Sequence, residues 1–158
     1  MAEVNVKMAD KMYSTLVTLL EEKNLHFDRD DEKRVVSFSM IGDDIPIDIR
    51  IIVDARRQLI VLYSSLPFTV PEDKKDVVSK AVCKTNWNLV DGDFDYDPES
   101  GHIVFRLTAC YIESVIGKEL LDHLVSLSVY YVDEYNDKLL MVSKGVVSYE
   151  QYAQSFSD

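Results

Sequence analysis

One nine-residue stretch, PIDIRIIVD (residues 46–54), constrains the fold of this chain more than any other. Apolar side chains occupy every second position from Ile47 to Val53, and the charged Asp48 and Arg50 fall between them. Successive side chains of a strand point to opposite faces of a sheet, so this alternation predicts a half-buried strand. Strands with one buried and one polar face are typical of antiparallel sheets.

The segments on either side predict two more strands and tight connections. The stretch VVSFSMI (35–41) precedes the first strand, and QLIVLYS (58–64) follows it with apolar residues on both faces, which favours a position near the middle of the sheet. The connections GDD (42–44) and ARR (55–57) are short enough for antiparallel hairpins. The stretch HFDRDDEKR, which comes before all three strands, is predicted to be a charged connection.

Helices are indicated where apolar side chains recur at three- and four-residue spacing. They are expected at about residues 6–24, from Pro71 to about residue 88, at about 115–144 before a stop at Gly145, and at about 148–156 behind a capping box of Ser148 and Gln151. Trp87, near the end of the second helix, is expected to pack on the sheet.

The run DGDFDYDPESG (residues 91–101) has a carboxylate at every second position from Asp91 to Glu99. A calcium loop, a carboxylate active site and a β-hairpin are the alternatives to compare. An EF-hand loop needs glycine at position 6 and glutamate at position 12, and registers that start at Asp91, Asp93 or Asp95 supply neither. The calcium-loop interpretation therefore fails.

Strand geometry explains the same run directly. The carboxylates of Asp93 and Asp95 share one face of a strand, and Phe94 lies on the other. Pro98 and Gly101 provide turn chemistry before a return strand at about residues 102–109. The run therefore predicts a hairpin with a solvated acidic face, and the element order is α-β-β-β-α-β-β-α with a short terminal helix.

Motifs of enzymes and metal sites are missing from the sequence. His26, His102 and His123 lie in three different segments without metal-ligand spacing, and no GxSxG, GxxxxGK[ST] or GxGxxG motif occurs. We therefore expect no enzyme, and no catalytic, cofactor-binding or metal residues. One polar cluster is retained as the alternative site for an enzyme or for a sensor of divalent cations or small ligands: Asp93, Asp95, His102 and Arg106.

The charge balance limits the classes of partner. The 158 residues carry a formal charge of −11, which repels nucleic-acid phosphates and anionic lipid, so we expect neither nucleic acid nor membrane as a partner. The N-terminal residues lack a secretory-signal pattern, and no apolar stretch approaches the roughly 20 residues that span a bilayer. A cytoplasmic location is expected, with Cys83 and Cys110 as buried thiols in a reducing compartment.

The run TNWNLVDGDFDYDPESGHIVFRL followed by VDEYNDKLLMVSKG resembles the YbjN family of bacterial proteins, which are described as sensory transduction regulators and share a fold with type III secretion chaperones. The resemblance is densest from about residue 84 to residue 145, and the helix and three strands predicted before that range fit the same topology. Its matching positions are Asn86, Gly92, Phe94, Gly101, the VFR of residues 104–106, Asp133, Tyr135 and Gly145.

This resemblance implies a two-layer α+β domain over residues 1–158, with an antiparallel sheet of about five strands and helices packed mostly on one face. It also implies a small, acidic, cytoplasmic homodimer that holds a protein client. The function hypothesis is a non-enzymatic protein-binding module, either a regulator or a chaperone-like adaptor, which contacts its client through apolar side chains of the sheet face or the helices.

Overall fold

Six antiparallel strands form one sheet, and the helices pack against it. The computed structural model describes residues 5–156. Its elements are α1 (Val6–Glu22), β1 (Phe27–Asp30), β2 (Val35–Ile41), β3 (Pro46–Asp54), β4 (Leu59–Thr69), α2 (Lys75–Asn88), β5 (Asp93–Asp97), β6 (His102–Cys110), α3 (Lys118–Ser143) and α4 (Tyr149–Gln154), with a short 3-10 turn at Glu72–Lys74 before α2.

The strands are arranged in the order β1-β2-β3-β4-β6-β5. The first four follow one another through hairpins, and α2 then carries the chain past β4, so that β5 forms the far edge and β6 returns beside β4. The alternation in β3 is confirmed, because Ile47, Ile49, Ile51 and Val53 are all buried. The predicted interior position of β4 is also confirmed, since it lies between β3 and β6.

The predicted strand count was too low by one. Strand β1, at Phe27–Asp30, lies in the segment that was predicted to be a charged connection. It pairs with β2 through backbone hydrogen bonds, with Phe27 opposite Phe38. Its four residues are all exposed or half-buried, so the segment has no apolar alternation that sequence reasoning could detect. Strand β4 is also longer than expected and continues to Thr69 after an irregularity beyond Ser65.

The helices pack on one face of the sheet. Helix α1 contacts β3 and α3, while α3 contacts β3, β4 and β6, and α2 contacts β5. The interface consists of buried apolar side chains such as Leu16 of α1 and Leu139 of α3, which form one core with Ile51 and Leu62 of the sheet. The two-layer α+β architecture is therefore confirmed.

Two buried hydrogen bonds between side chains connect elements that are distant in the chain. The hydroxyls of Ser64 on β4 and Ser128 on α3 lie 2.7 Å apart, and both residues are fully buried. The Tyr152 hydroxyl of α4 lies 2.5 Å from the Thr85 hydroxyl of α2, so the terminal helix packs against the body of the protein. The expected capping box of Ser148 and Gln151 starts that helix.

Asn86 attaches α2 to the edge strand β5. Its Oδ1 accepts from the backbone N–H of Phe94 over 2.9 Å, and its Nδ2 donates to the Phe94 carbonyl over 3.0 Å. A strand at the edge of a sheet presents unpaired backbone groups that can recruit another chain. Asn86 satisfies two of these groups with one side chain, which gives this position of the resemblance a structural role.

Predictions for three exposed side chains were wrong. Trp87 is 85% exposed. It comes two residues after Thr85, so it points to the side of α2 opposite the buried face, which consists of Val78, Ala81, Val82 and Thr85. Cys83 and Cys110 are exposed as well, not buried. Each side chain belongs to the solvent face of an otherwise correctly predicted element.

Candidate functional site

The sheet face away from the helices, hereafter the open face, is left uncovered by them. Strand registers align one residue from each of the six strands into a row across it. From β1 to β5 through β6, this row contains Asp28, Ser37, Arg50, Tyr63, Arg106 and Asp93. The open face is therefore a continuous polar and aromatic surface that spans the sheet.

An apolar row lies directly beside the polar one. Val35, Ile52 and Val61 are cross-strand neighbours on β2, β3 and β4, and Val35 and Val61 are buried within the face. Ile52 is half-buried, whereas its strand neighbours on the other face are fully covered by helices. Tyr63 is also half-buried, and it follows Val61 by two residues on β4, so it lies next to this row. Apolar and aromatic groups at the centre with charges around them are the usual composition of a protein-binding surface.

The two arginines of the polar row have different surroundings. Arg106 lies 3.3 Å from an oxygen of Asp93 and 3.1 Å from an oxygen of Asp95. Arg50 is exposed and forms no ion pair with any residue of the described range 5–156. Tyr63 is the cross-strand neighbour of both. The centre of the open face therefore offers one arginine that is available to a carboxylate of a partner.

The acidic hairpin of β5 and β6 has the predicted geometry. Phe94 is buried against Phe105, with ring centroids 4.9 Å apart, while Asp95 and Asp97 are exposed on the open face. Asp97 accepts from the Ser100 hydroxyl over 2.5 Å, and this hydrogen bond is the main cause that lowers the pKa of Asp97. The carboxylates thus point into water, and the rings fill the core.

The polar cluster that was considered as an alternative site assembles only in part. Asp93, Asp95 and Arg106 meet on the open face, whereas His102 lies at the turn end of the hairpin, opposite Asp97. Partial burial raises the pKa of Asp95, and the Arg106 guanidinium acts in the opposite direction. Within the part of the chain that the structure describes, no three His, Cys, Asp or Glu side chains are arranged to hold a metal ion.

Sequence reasoning missed a second acidic feature, hereafter the acidic pocket. It lies between the β2–β3 turn and α3 and is lined by Asp43, Asp44, Ile45, Tyr130, Asp133, Glu134, Asn136 and Asp137. Asp43 and Asp133 are 90 residues apart in the chain. The only local signals are the Asp43-Asp44 pair and the four-residue spacing of Asp133 and Asp137 on one helix face.

The sequence model of one protein family, described as "Putative bacterial sensory transduction regulator" and called YbjN, matches residues 13–141. The chain belongs to the YbjN family. The matched range begins within α1 at Tyr13 and ends within α3 at Met141, so it covers the whole sheet and most of the helical layer. No curated protein matches this YbjN-family chain.

Solved structures with the same fold include two protein complexes and one YbjN protein. The ExsC–ExsE complex has a TM-score of 0.59 at 14% identity, covering 84% of this chain and 96% of that one. The HopA1–SchA chaperone–effector complex has a TM-score of 0.56 at 14% identity, covering 85% and 99%. YbjN from E. coli, which is described as a putative transcription regulator, has a TM-score of 0.53 at 13% identity, covering 80% and 92%.

These similarities confirm the chaperone-like fold that the sequence resemblance implied. At identities of 13–14%, they concern the fold and not the residues of a site. In addition, no helix in the described residues is long and apolar enough to cross a membrane.

Proposed function

We propose that this YbjN-family protein is a non-enzymatic protein-binding module that acts in the cytoplasm as a regulator or a chaperone-like adaptor. The observation that carries the proposal is the open face: a six-stranded sheet with helices on one side only. Support also comes from family membership and from the shared fold with a chaperone–effector complex.

The client would lie across the centre of the open face. Its apolar side chains would cover Ile52 and the Tyr63 ring, and one of its carboxylates would pair with Arg50. Tyr and Arg are enriched among the interface residues that contribute most to binding. Burial of Ile52 and Tyr63 would provide affinity, while the surrounding aspartates would disfavour acidic segments elsewhere on the client.

A second copy of the chain is part of the proposal. Trp87 and Val90, which are 85% and 91% exposed near the end of α2, are the apolar side chains that a homodimer would bury. Light scattering coupled to size exclusion tests this directly. We expect the mass of a dimer for the wild type and a shift toward the monomer for Trp87→Ala, because an exposed tryptophan is a typical interface anchor. A wild-type monomer at every concentration would refute the dimer.

Site-specific photo-crosslinking in the native host tests the binding surface. A benzoylphenylalanine is introduced in place of Tyr63 on the open face, and, as a matched control, in place of Tyr149 on α4, which is half-buried in the helical layer. We expect the probe at Tyr63, and not the probe at Tyr149, to capture a discrete polypeptide. Arg50→Glu in the Tyr63 probe background should reduce that product.

Two results would contradict the proposal. The first is the same set of products from both probes, which would indicate random collisions. The second is the absence of any polypeptide product at Tyr63 when the protein is present at its natural level.

A further inference from the structure

Helix α4 lies across α2 and α3. The residues of those two helices that it contacts through its aromatic side chains, hereafter the α4 seat, are Lys84, Thr85 and Tyr135. The contacting side chains, hereafter the aromatic pair, are Tyr152 and Phe156. Tyr152 is 3% exposed, and its hydroxyl lies 2.5 Å from that of Thr85. The Phe156 ring is stacked on the Tyr135 ring with centroids 6.1 Å apart, and the Lys84 ammonium lies 5.8 Å from the centre of the Phe156 ring.

The ends of α3 and α4 are formed by local contacts. The capping box of Ser148 and Gln151 starts α4. Helix α3 stops at Gly145, where a φ of +70° turns the chain so that the backbone N–H of Val146 donates to the Met141 carbonyl over 3.0 Å. Both helix ends therefore keep their hydrogen bonds if α4 moves away from the seat.

One hydrogen bond joins α4 to the seat. Among the described residues, the bond between Tyr152 and Thr85 is the only hydrogen bond from α4 to α2 or α3. The Thr85 hydroxyl is also 2.9 Å from the Ala81 carbonyl of its own helix, to which it donates. Thr85 therefore keeps a partner when Tyr152 leaves, and no unpaired buried hydroxyl opposes the departure of α4.

An open cleft separates the start of α4 from α2. It has a volume of about 610 Å³, and its walls include Val77 and Lys80 of α2 and Tyr149 and Gln151 of α4. Val146, in the connection to α4, is 60% exposed. The first turn of α4 therefore borders solvent, and the aromatic pair holds the segment from its other end.

The seat and the segment that covers it belong to different parts of the chain. The family model matches residues 13–141, and this range includes all three residues of the seat. Helix α4 and the connection that leads to it lie beyond that range. The seat is therefore part of the family domain, whereas its cover is not matched by the family model.

We propose that the α4 seat binds a short helix of a partner protein with two aromatic side chains four residues apart, and that α4 competes with this helix from within the chain. The segment already in place shows which chemistry the seat accepts: a tyrosine whose hydroxyl meets Thr85, and a second ring between Tyr135 and Lys84. Side chains four residues apart share one face of a helix, and such a face docking into a groove is a common mode of peptide recognition. That the helix comes from a partner protein rests on the proposed function.

The competition follows from the tether. A segment joined by a short connection has a high effective concentration at its own site. A free helix binds only the fraction of molecules in which the seat is open, so its apparent affinity falls by that fraction. Removal of the aromatic pair should therefore raise the affinity of the seat for a helix added from solution.

A synthetic peptide with the sequence of residues 148–156 tests the seat. In the full chain, Tyr152→Ala/Phe156→Ala, hereafter the emptied variant, removes the aromatic pair, and Val146→Ala/Tyr149→Ala changes the same segment outside the seat. We expect the emptied variant to bind the peptide at least about tenfold more tightly than the wild type or the control variant.

Nuclear magnetic resonance of the 15N-labelled emptied variant locates the peptide and defines what is recognised. The backbone amides of Thr85 and Tyr135 should shift. A second peptide that keeps the capping box and the aromatic pair, with alanine at the other positions, should bind about as tightly as the first. The same peptide with its second aromatic residue moved by two positions should not bind, because the two rings would then lie on different faces of the helix.

Native-state hydrogen exchange of the wild type tests whether α4 detaches. The amides of Tyr152 and Phe156 should be at least about 100-fold less protected than that of Leu139 in the buried face of α3, and they should exchange by local opening that low denaturant does not accelerate. Equal protection of both helices would show that α4 leaves only when the whole chain unfolds, and would overturn the proposal.

Other results would overturn it as well. Equal binding of the peptide to the wild type and the emptied variant would remove the competition by α4. Absence of binding to the emptied variant, or loss of its folded spectrum, would make α4 an integral part of the core. A wild-type dimer that dissociates in the emptied variant but not in Trp87→Ala would assign the seat to α4 of a second copy. The crosslinks at Tyr63 do not involve α4, so either proposal can fail while the other stands.

Discussion

The substitution Asn136→Leu is expected to make this protein more stable, although Asn136 is buried. The unpaired Oδ1 of Asn136 costs about 1–3 kcal/mol in the folded state. The variant removes that penalty and gains about 0.5 kcal/mol of helix propensity, but it loses the hydrogen bond to Asp137, which contributes about 1 kcal/mol. The net change is a gain of about 1 kcal/mol, or a melting temperature higher by about 2–4 °C.

The same substitution at Asn86 serves as a matched control, because the amide of Asn86 has partners for both of its polar atoms. Asn86→Leu would leave the backbone N–H and carbonyl of Phe94 without their partners on the edge strand. We expect the free energy of unfolding to fall by about 2 kcal/mol, the opposite sign to Asn136→Leu.

Urea denaturation of both variants and of Asn136→Ala measures these changes. Alanine is a stronger helix former than asparagine and cannot overpack the site, so Asn136→Ala should be at least as stable as the wild type. The reasoning is refuted if both variants at position 136 lose more than about 1 kcal/mol, since the Oδ1 atom would then have a stabilising partner.

Three further predictions concern the core and one turn. Ser64→Ala and Ser128→Ala should each reduce the free energy of unfolding by about 1–2 kcal/mol. In a double-mutant cycle measured by urea denaturation, the double variant should lose less than the sum of the two single losses. Additive losses would contradict the shared hydrogen bond. Burial raises the pKa of Tyr152 to about 12 from 10.0, against the Thr85 hydroxyl, which lowers it. Because the pKa of Tyr152 is higher in the folded state, its neutral hydroxyl contributes fully to the free energy of unfolding below pH 10, and this contribution is lost between pH 10 and 12. Tyr152→Phe should therefore make the fall in the free energy of unfolding across that interval less steep. An unchanged slope would count against this prediction. Gly92→Ala should reduce the free energy of unfolding, measured by calorimetry, by about 1–2 kcal/mol, because φ is +72° there and the new Cβ would lie 2.7 Å from the Arg106 carbonyl oxygen. Gly117→Ala, at a position without a positive φ, should be tolerated.

Features that depend on neighbours in the chain could be predicted from the sequence. The alternation from Ile47 to Val53 predicts strand β3, and the alternation of Asp93 with Phe94 predicts the hairpin with its exposed acids. The capping box at Ser148 is equally local. In each case, the periodicity of side chains follows from backbone geometry alone, which a run of five to ten residues is long enough to express.

Features that depend on pairing were not accessible in this way. Strand β1 exists because β2 supplies its backbone partners, and its own residues carry no apolar pattern. The exposure of Trp87 depends on which face of α2 meets the sheet. A hydrophobic side chain predicts burial only on average, since packing decides the face.

The open face and the acidic pocket show the same division between local pattern and tertiary structure. The sequence by itself determined which residues of each strand share a face, including Arg50 on β3 and Arg106 on β6. Only the strand order placed Tyr63 between those arginines, and only the packing of α3 against a turn 90 residues earlier made the acidic pocket. The physical reason is that side-chain direction follows from local backbone geometry, whereas register and layer packing are set by contacts between segments that are distant in the chain.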